Sequence, residues 1–344
     1  MSDIPRSLPS HANVEHLKNE AKQRLKTMRH ENAAARLAEA QLLVARSYGF
    51  PSWRKLKSYV DAMQSRGKQL IDAVRTGQIE SVRAILDAHP ELVNATTDLD
   101  QLLRPSDTFA MRLIHVAIAE NQNEIVRLLI DRDADLNVRN ADGRLPLHDC
   151  FELGRDDFAK ILLEAGAVPD VCASAAYGML ERLEQILNSD PKLANDLTTG
   201  ESALGWSVYG QQLESARILF RHGALADRPP YDAAAWGPAA MVASVPMARM
   251  LIEHGANPNW RSNNGDTPLH RVIRSRLVVD PTPFVKLLLD WGADASVRNA
   301  DGKTPLDEAV VQSGAIAETY YPVRPIGSKK LARTIELLQP RTEK

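Results

Sequence analysis

The chain has few cysteines, few aromatic residues and no long apolar run, and each shortage excludes a class of protein. Two cysteines, Cys150 and Cys172, cannot form the disulfide framework that holds small secreted domains together. The apolar runs are a few residues long, far below the roughly 20 residues that a membrane-spanning helix needs. The N-terminal residues lack the apolar stretch of a signal peptide. We therefore expect a protein of the reduced cytoplasm that does not bind a membrane.

The charge balance has no strong sign either. The 344 residues include 42 Lys or Arg and 44 Asp or Glu, which leaves a net charge of −2. A near-neutral balance argues against a general nucleic-acid binder. Aromatic residues make up only 5% of the chain, so Leu, Ile, Val and Ala must build the core. The length fits two domains or one long array of small units.

What the sequence does contain is internal repetition. Three segments match closely: VRNADGRLPLHDC at 138–150, WRSNNGDTPLHRV at 260–272 and VRNADGKTPLDEA at 297–309. The position held by the His of TPLH recurs along the chain with four of its seven steps within one residue of 33. Its occupants are Ile71, His115, His148, Cys172, Gly205, Gly237, His270 and Asp307. A fixed period of this length is typical of stacked helical repeats.

These segments resemble the ankyrin repeat over roughly 68–338, and TPLH at 267–270 followed by Gly292-Ala293 is the most specific part of the match. The resemblance implies an all-α ankyrin-repeat solenoid of about eight helix–turn–helix units, each with a projecting turn, here called a finger. It also implies that the register His bridges neighbouring loops by hydrogen bonds. We expect an N-terminal helical cap over 1–63, the array over 64–338 and a tail over 339–344.

The cap differs from the array in charge. Residues 1–62 contain 11 Lys or Arg and 6 Asp or Glu, a net +5, which leaves −7 for the rest. Lys18, Lys22, Lys26 and Arg29 share one helix face, but acidic residues dilute this charge and no aromatic residue is interleaved with it. We therefore interpret it as a solvated face and expect no nucleic-acid partner. The element at 45–53 is similar to one that precedes ankyrin arrays in some bacterial proteins, which favours a bacterial source.

No catalytic or metal-binding motif stands out. The chain has no phosphate-binding loop, no dinucleotide fingerprint and no HExxH. His115, His148 and His270 share one repeat register, so they form a row instead of converging on one point as a metal or catalytic site requires. We therefore expect neither an enzyme nor a cofactor.

The ankyrin resemblance implies that a protein partner binds the concave face made by the fingers and the first helix of each unit. Aromatic and Arg side chains are enriched in such interfaces. Seven residues at these positions are candidates for partner binding: Arg139, Trp206, Tyr209, Met241, Trp260, Arg261 and Arg298. In the alternative interpretation, the tryptophans pack between repeats and the arginines pair with finger Asp residues.

The favoured function is therefore a monomeric protein-interaction or scaffolding module. Two insertions, 94–110 and 311–327, leave open an enzyme or small-ligand binder whose pocket they would build. An effector, or an immunity protein that neutralises a toxin, is a third alternative. The sequence does not identify the partner.

Overall fold

The computed structural model describes residues 6, 8, 14–94, 112–226, 244–275, 280–315 and 328–339. In these ranges the regular elements are helices, with no β-strand among them. The chain divides into two compact units, Met1–Val168 and Pro169–Lys344. None of the helices in the described ranges is long and apolar enough to cross a membrane.

The first unit contains a three-helix cap followed by helix pairs. Its helices are α1 (Val14–Glu31), α2 (Leu37–Ser47), α3 (Trp53–Arg75), α4 (Ile79–Ala88), α5 (Leu113–Ala119), α6 (Asn123–Asp131), α7 (Pro146–Glu152) and α8 (Asp156–Glu164). A 3₁₀ turn at Pro90–Asn94 follows α4. In each pair the first helix packs on its own second helix, and both pack on the same helices of the next pair: α3, α5 and α7 in one row, α4, α6 and α8 in another.

The second unit repeats this arrangement. Its helices are α9 (Val171–Ala176), α10 (Leu180–Ser189), α11 (Ala203–Tyr209), α12 (Leu213–Arg221), α13 (Val245–Glu253), α14 (Pro268–Arg274), α15 (Thr282–Asp290), α16 (Pro305–Ala315) and α17 (Ser328–Leu338). First helices pack on first helices, as in α9 with α11 and α14 with α16, and second helices pack on second helices. The described ranges hold seven helix pairs and α13, and they confirm an all-α ankyrin-type solenoid.

The repeat register is confirmed at helix starts. His115, His148, Gly205, His270 and Asp307 are each the third residue of a first helix. Four second helices, α8, α12, α13 and α15, end just before a Gly-Ala pair, because the helix stops in a left-handed turn that glycine adopts most easily. The four glycines at these ends have positive φ angles between 83° and 96°: Gly166, Gly223, Gly255 and Gly292.

The cap forms its own small core, and its last helix continues into the array. Leu17, Val44 and Leu56 are buried together, one from each cap helix. The predicted boundary between residues 63 and 64 falls inside α3, which is unbroken from Trp53 to Arg75. One continuous helix is therefore both the third helix of the cap and the first helix of the first repeat.

Candidate protein-interaction surface

Two register histidines, His115 and His270, bridge to neighbouring loops, as the resemblance implied. The buried His270 accepts hydrogen bonds at Nδ1 from the Thr267 backbone N–H (3.2 Å) and hydroxyl (2.8 Å). Its Nε2 faces the carbonyl oxygen of Lys303 in the next finger at 2.9 Å. His148 likewise accepts from the Leu145 backbone N–H at 2.8 Å. The Nδ1 bonds fix the starts of these two first helices, and the contact of His270 Nε2 with Lys303 holds the next finger beside its helix.

His115 uses a different partner. Its Nδ1 lies 2.6 Å from Oδ2 of Asp149, and its Nε2 lies 3.2 Å from the Val138 carbonyl. Both side chains are buried. Arg112 occupies the position that Thr267 holds before His270 and has no hydroxyl to match that of Thr267, and Asp149 of the next repeat supplies the Nδ1 partner.

Four asparagines each link one repeat to the following repeat, and these links were not expected from the sequence. Each Asn side chain accepts a hydrogen bond from the backbone N–H of the residue that follows the second-helix turn of the next unit, at 2.7–3.0 Å. The four are Asn94, Asn137, Asn195 and Asn259. Asn195 and Asn259 also donate from Nδ2 to the glycine carbonyl of that turn. The detectable signal was the recurrence of Asn at one register.

The finger of the seventh repeat is stiffened by a buried polar cluster. Asn299 donates to Asp266 (3.0 Å), and Arg274 donates to the other oxygen of the same carboxylate (2.9 Å). The Asn299 amide oxygen also accepts the backbone N–H groups of Asp301 and Lys303 across the finger tip. These bonds hold the turn in one conformation. The backbone positions from which its side chains project are therefore fixed.

The three predicted finger arginines are exposed and anchored on backbone carbonyls. Arg139 and Arg298 each donate to the carbonyl of the glycine at the tip of their own finger, Gly143 and Gly302. Arg261 donates to the Arg298 carbonyl of the next finger at 2.7 Å. Arg298 also lies 3.5 Å from Asp307, with its side chain 65% exposed. Arg139 belongs to the first compact unit of the chain, and Arg261 and Arg298 belong to the second.

Trp206 requires a correction. Its side chain is only 2% exposed, and its indole N–H donates to the Thr199 hydroxyl at 3.0 Å. Thr199 also donates to the Glu201 carbonyl, so the hydroxyl that accepts from the indole N–H is itself held by a hydrogen bond. Trp206 is therefore an interior residue, because its large apolar area is more stable packed between helices than in water. It offers no surface to a partner.

Tyr209 and Trp260 remain accessible near a half-buried cation. Tyr209 is 47% exposed, and its ring is tilted against that of Trp206 with centroids 6.3 Å apart. The Arg271 guanidinium lies 5.9 Å from the centroid of the partly buried Trp260 ring. Burial lowers the pKa of Arg271, while the charges of Asp266 and Tyr209 raise it. We call Tyr209, Trp260, Arg261, Arg271 and Arg298 the finger face.

Other predicted features lie outside the described residues or inside the core. Met241 falls in 227–243, and most of the two insertions falls in 95–111 and 316–327, all outside the described residues. Cys150 and Cys172 are free thiols and buried. Burial and the nearby Asp149 raise the pKa of the Cys150 thiol, so it stays protonated and unreactive. In the described part of the chain, His, Cys, Asp and Glu do not gather in threes at metal-binding distances.

The family model described as ankyrin repeats matches residues 70–173 and 238–319. This range includes the fingers that carry Arg139, Arg261 and Arg298. It begins within α3, which agrees with a first repeat that starts on the last helix of the cap.

Several curated proteins are similar to part of this chain. The B-cell lymphoma 3 protein homolog of Mus musculus is 26% identical over 57% of this chain and 40% of its own length. Ankyrin repeat and SOCS box protein 16 of Homo sapiens is 27% identical over 56% of this chain and 39% of its own length. The ADP-ribosylation factor GTPase-activating protein AGD4 of Arabidopsis thaliana is 43% identical over 20% of this chain and 9% of its own length. The chain thus spans less than half of each of these relatives.

Proposed function

Since this chain belongs to the ankyrin-repeat family, we propose that it is a protein-interaction module that binds its partner through the finger face. The family's repeats occur in relatives with very different names, among them a lymphoma protein homolog and a SOCS box protein. What those proteins share with this chain is the repeat array. A general binding role is therefore better supported than the particular activity of any one relative.

The observation that carries the proposal is the anchoring of exposed finger arginines on backbone carbonyls. An exposed Arg side chain normally loses conformational entropy when a partner binds it. Because Arg261 and Arg298 are already held by finger carbonyls, less of that freedom remains to be lost. Arg also forms paired hydrogen bonds with carboxylates, and Tyr and Trp add apolar contact area. The finger face combines Arg, Tyr and Trp side chains, all within the second compact unit of the chain.

Two other properties support a binding role in a reducing compartment. The buried free thiols Cys150 and Cys172 are compatible with the bacterial cytoplasm that the sequence indicates. The paired helices give a scaffold in which each unit is held by its neighbours. No specific observation favours the enzyme, effector or immunity alternatives, and we propose a monomer that scaffolds one partner at a time.

Affinity capture from the native cell tests this proposal. The bait is the full chain, compared with the triple variant Y209A/R261A/R298A. We expect at least one protein captured by the wild type to fall more than tenfold in abundance with the variant, because each interface Arg or Tyr that is lost costs about 1–2 kcal/mol or more.

A matched control separates the finger face from the rest of the surface. The triple variant R217A/R249A/W291A removes two exposed arginines and one ring that is 44% exposed, all on second helices or their ends. It should capture the same proteins as the wild type. If the control loses them equally, or if the finger-face variant loses none, the proposed surface is wrong. Far-UV circular dichroism checks that both variants are folded.

A further inference from the structure

The cap presents a row of cations on one exposed face of α1. Lys18, Lys22, Lys26 and Arg29 are all exposed. At 3.6 residues per turn they fall within an arc of about 80°. The buried residues Leu17 and Ala21 lie on a different side of the same helix. We call these four residues the cation stripe.

Acidic residues do not neutralise this stripe. Glu15 lies on the same side of α1 and pairs with Lys18 at 3.1 Å. Glu20 lies on the opposite flank of the helix and pairs with Arg6 at 2.9 Å. Among the described residues, Lys22, Lys26 and Arg29 form no ion pair. Among the described side chains of the helix, ion pairing with an acidic residue therefore reaches one of the four positions, Lys18.

The rest of the cap adds positive charge. Arg54, Lys55 and Lys57 are exposed in the first turns of α3. The Tyr59 ring is 42% exposed and lies against Phe50, with centroids 5.2 Å apart. The Tyr59 ring and these three basic residues lie on α3, whereas the stripe lies on α1.

We propose that the cation stripe binds the phosphate backbone of a nucleic acid, as a second interaction surface distinct from the finger face. The stripe is rich in lysine, which protein–protein interfaces contain less often than other surfaces do. Lysine binds phosphate as a mobile point charge, and phosphate contacts need no fixed geometry. This proposal reverses the expectation of a merely solvated face.

A membrane surface fits the stripe less well. Binding to a lipid interface needs apolar side chains beside the cations. Within the described residues, the large apolar side chains exposed in the cap are Leu37, Leu43 and Tyr59. They belong to α2 and α3 and none belongs to α1. The helix that carries the stripe therefore has charge without an apolar anchor.

Fluorescence anisotropy tests the proposal on the full chain with a fluorescein-labelled 20-base-pair DNA duplex. We expect a dissociation constant of about 1–100 µM at low salt, which weakens as salt is added. The variant K18Q/K22Q/K26Q/R29Q keeps good helix formers in α1. It should bind at least tenfold more weakly, and the magnitude of its salt slope should be lower by about 3.6 because four phosphate contacts are lost.

The matched control R83Q/R127Q/K160Q/K286Q removes the same charge from exposed second-helix positions. It should change duplex affinity by less than threefold. Two further probes are polyglutamate of equal charge and vesicles of one-third phosphatidylserine in phosphatidylcholine, and both should bind more weakly than the duplex. The proposal is overturned if the duplex does not bind at low salt, if the control loses as much affinity as the stripe variant, or if polyglutamate or vesicles bind more tightly.

Discussion

Single side chains hold neighbouring repeats together. His270 bonds to its own helix start and to the next finger, and Asn259 bonds to the turn that ends the next second helix. Because a repeat cannot bury its apolar face alone, such bonds add directional contacts to an interface that is otherwise apolar. These hydrogen bonds therefore contribute to the interaction free energy between neighbouring repeats.

Asp149 provides the first test at this scale. Replacing Asp149 with Ala leaves a buried nitrogen of His115 without its acceptor, and an unsatisfied buried polar group costs about 1–3 kcal/mol. We expect D149A to lower the free energy of unfolding by this amount in urea titrations followed by circular dichroism. The exposed Glu164 supplies the control, since E164A should change stability by less than about 0.5 kcal/mol. Equal effects of the two variants would contradict the role assigned to Asp149.

Asn259 provides the second test. Its side chain forms two hydrogen bonds with the next turn, at Gly292 and Asp294. At about 1 kcal/mol for each bond, N259A should lose about 1–3 kcal/mol of stability. Asn263, exposed in the same finger, is the comparison, and N263A should be nearly neutral. A neutral N259A would show that the bridging bonds add nothing to the junction.

At the scale of elements, α3 joins the cap to the array. The helix contributes Leu56 and Val60 to the cap core and Leu70 and Val74 to the first repeat. A helix shared in this way transmits unfolding from one part to the other, because neither can lose its half of the helix independently.

Ser65, an exposed residue in the middle of α3, tests this coupling. Proline there removes a backbone hydrogen bond and clashes with the preceding turn, so S65P should cost about 3 kcal/mol or more. S65A should leave stability unchanged or raise it by a few tenths of a kcal/mol. Limited proteolysis should release the cap from S65P but not from S65A. Resistance of both variants would mean that the cap and the first repeat do not depend on a continuous helix.

The start of α16 gives a pH-dependent test. Asp307 accepts the Thr304 backbone N–H at 2.8 Å, and Thr304 Oγ1 accepts the Asp307 backbone N–H at 3.1 Å. The bond from Thr304 holds the pKa of Asp307 below its ordinary value. A lowered pKa in the folded state stabilises the protein above the unfolded-state value, and this contribution is lost as the pH falls through the folded-state value.

D307A should therefore be less stable than the wild type at pH 7, and the difference should shrink as the pH falls below about 4. Urea midpoints measured across this range provide the readout, with D301A as the control in the same finger. A difference that stays constant with pH would contradict a role for the Asp307 charge.

The elements could be predicted because their signals are local. Gly292 and the TPLH segment each act within one turn of chain, so the helix starts and ends were visible in the sequence. Long-range choices were not visible. The sequence alone does not tell whether the Trp206 side chain faces solvent or Thr199. The packing of neighbouring helices decides between these two orientations. The pairing of His115 with Asp149 depended on the packing of α5 against α7, which brings together residues 34 positions apart.

At the scale of the whole molecule, the chain combines two chemically different parts. A basic cap of net +5 precedes an array of net −7, so the overall −2 hides two surfaces of opposite character. The array contributes rigid fingers that carry Arg and aromatic residues, and the cap contributes mobile lysines. We propose that the finger face of the array is the part of the molecule that contacts a protein partner.

Photo-crosslinking in the native cell tests that claim most directly. A benzoylphenylalanine residue is placed at Tyr209, on the finger face, or at Trp291, which is similarly exposed at the end of α15. We predict that irradiation links the Tyr209 position to a distinct protein and yields no such product from the Trp291 position. A product from Trp291 alone, or none from either position in cells that express the chain, would contradict the account.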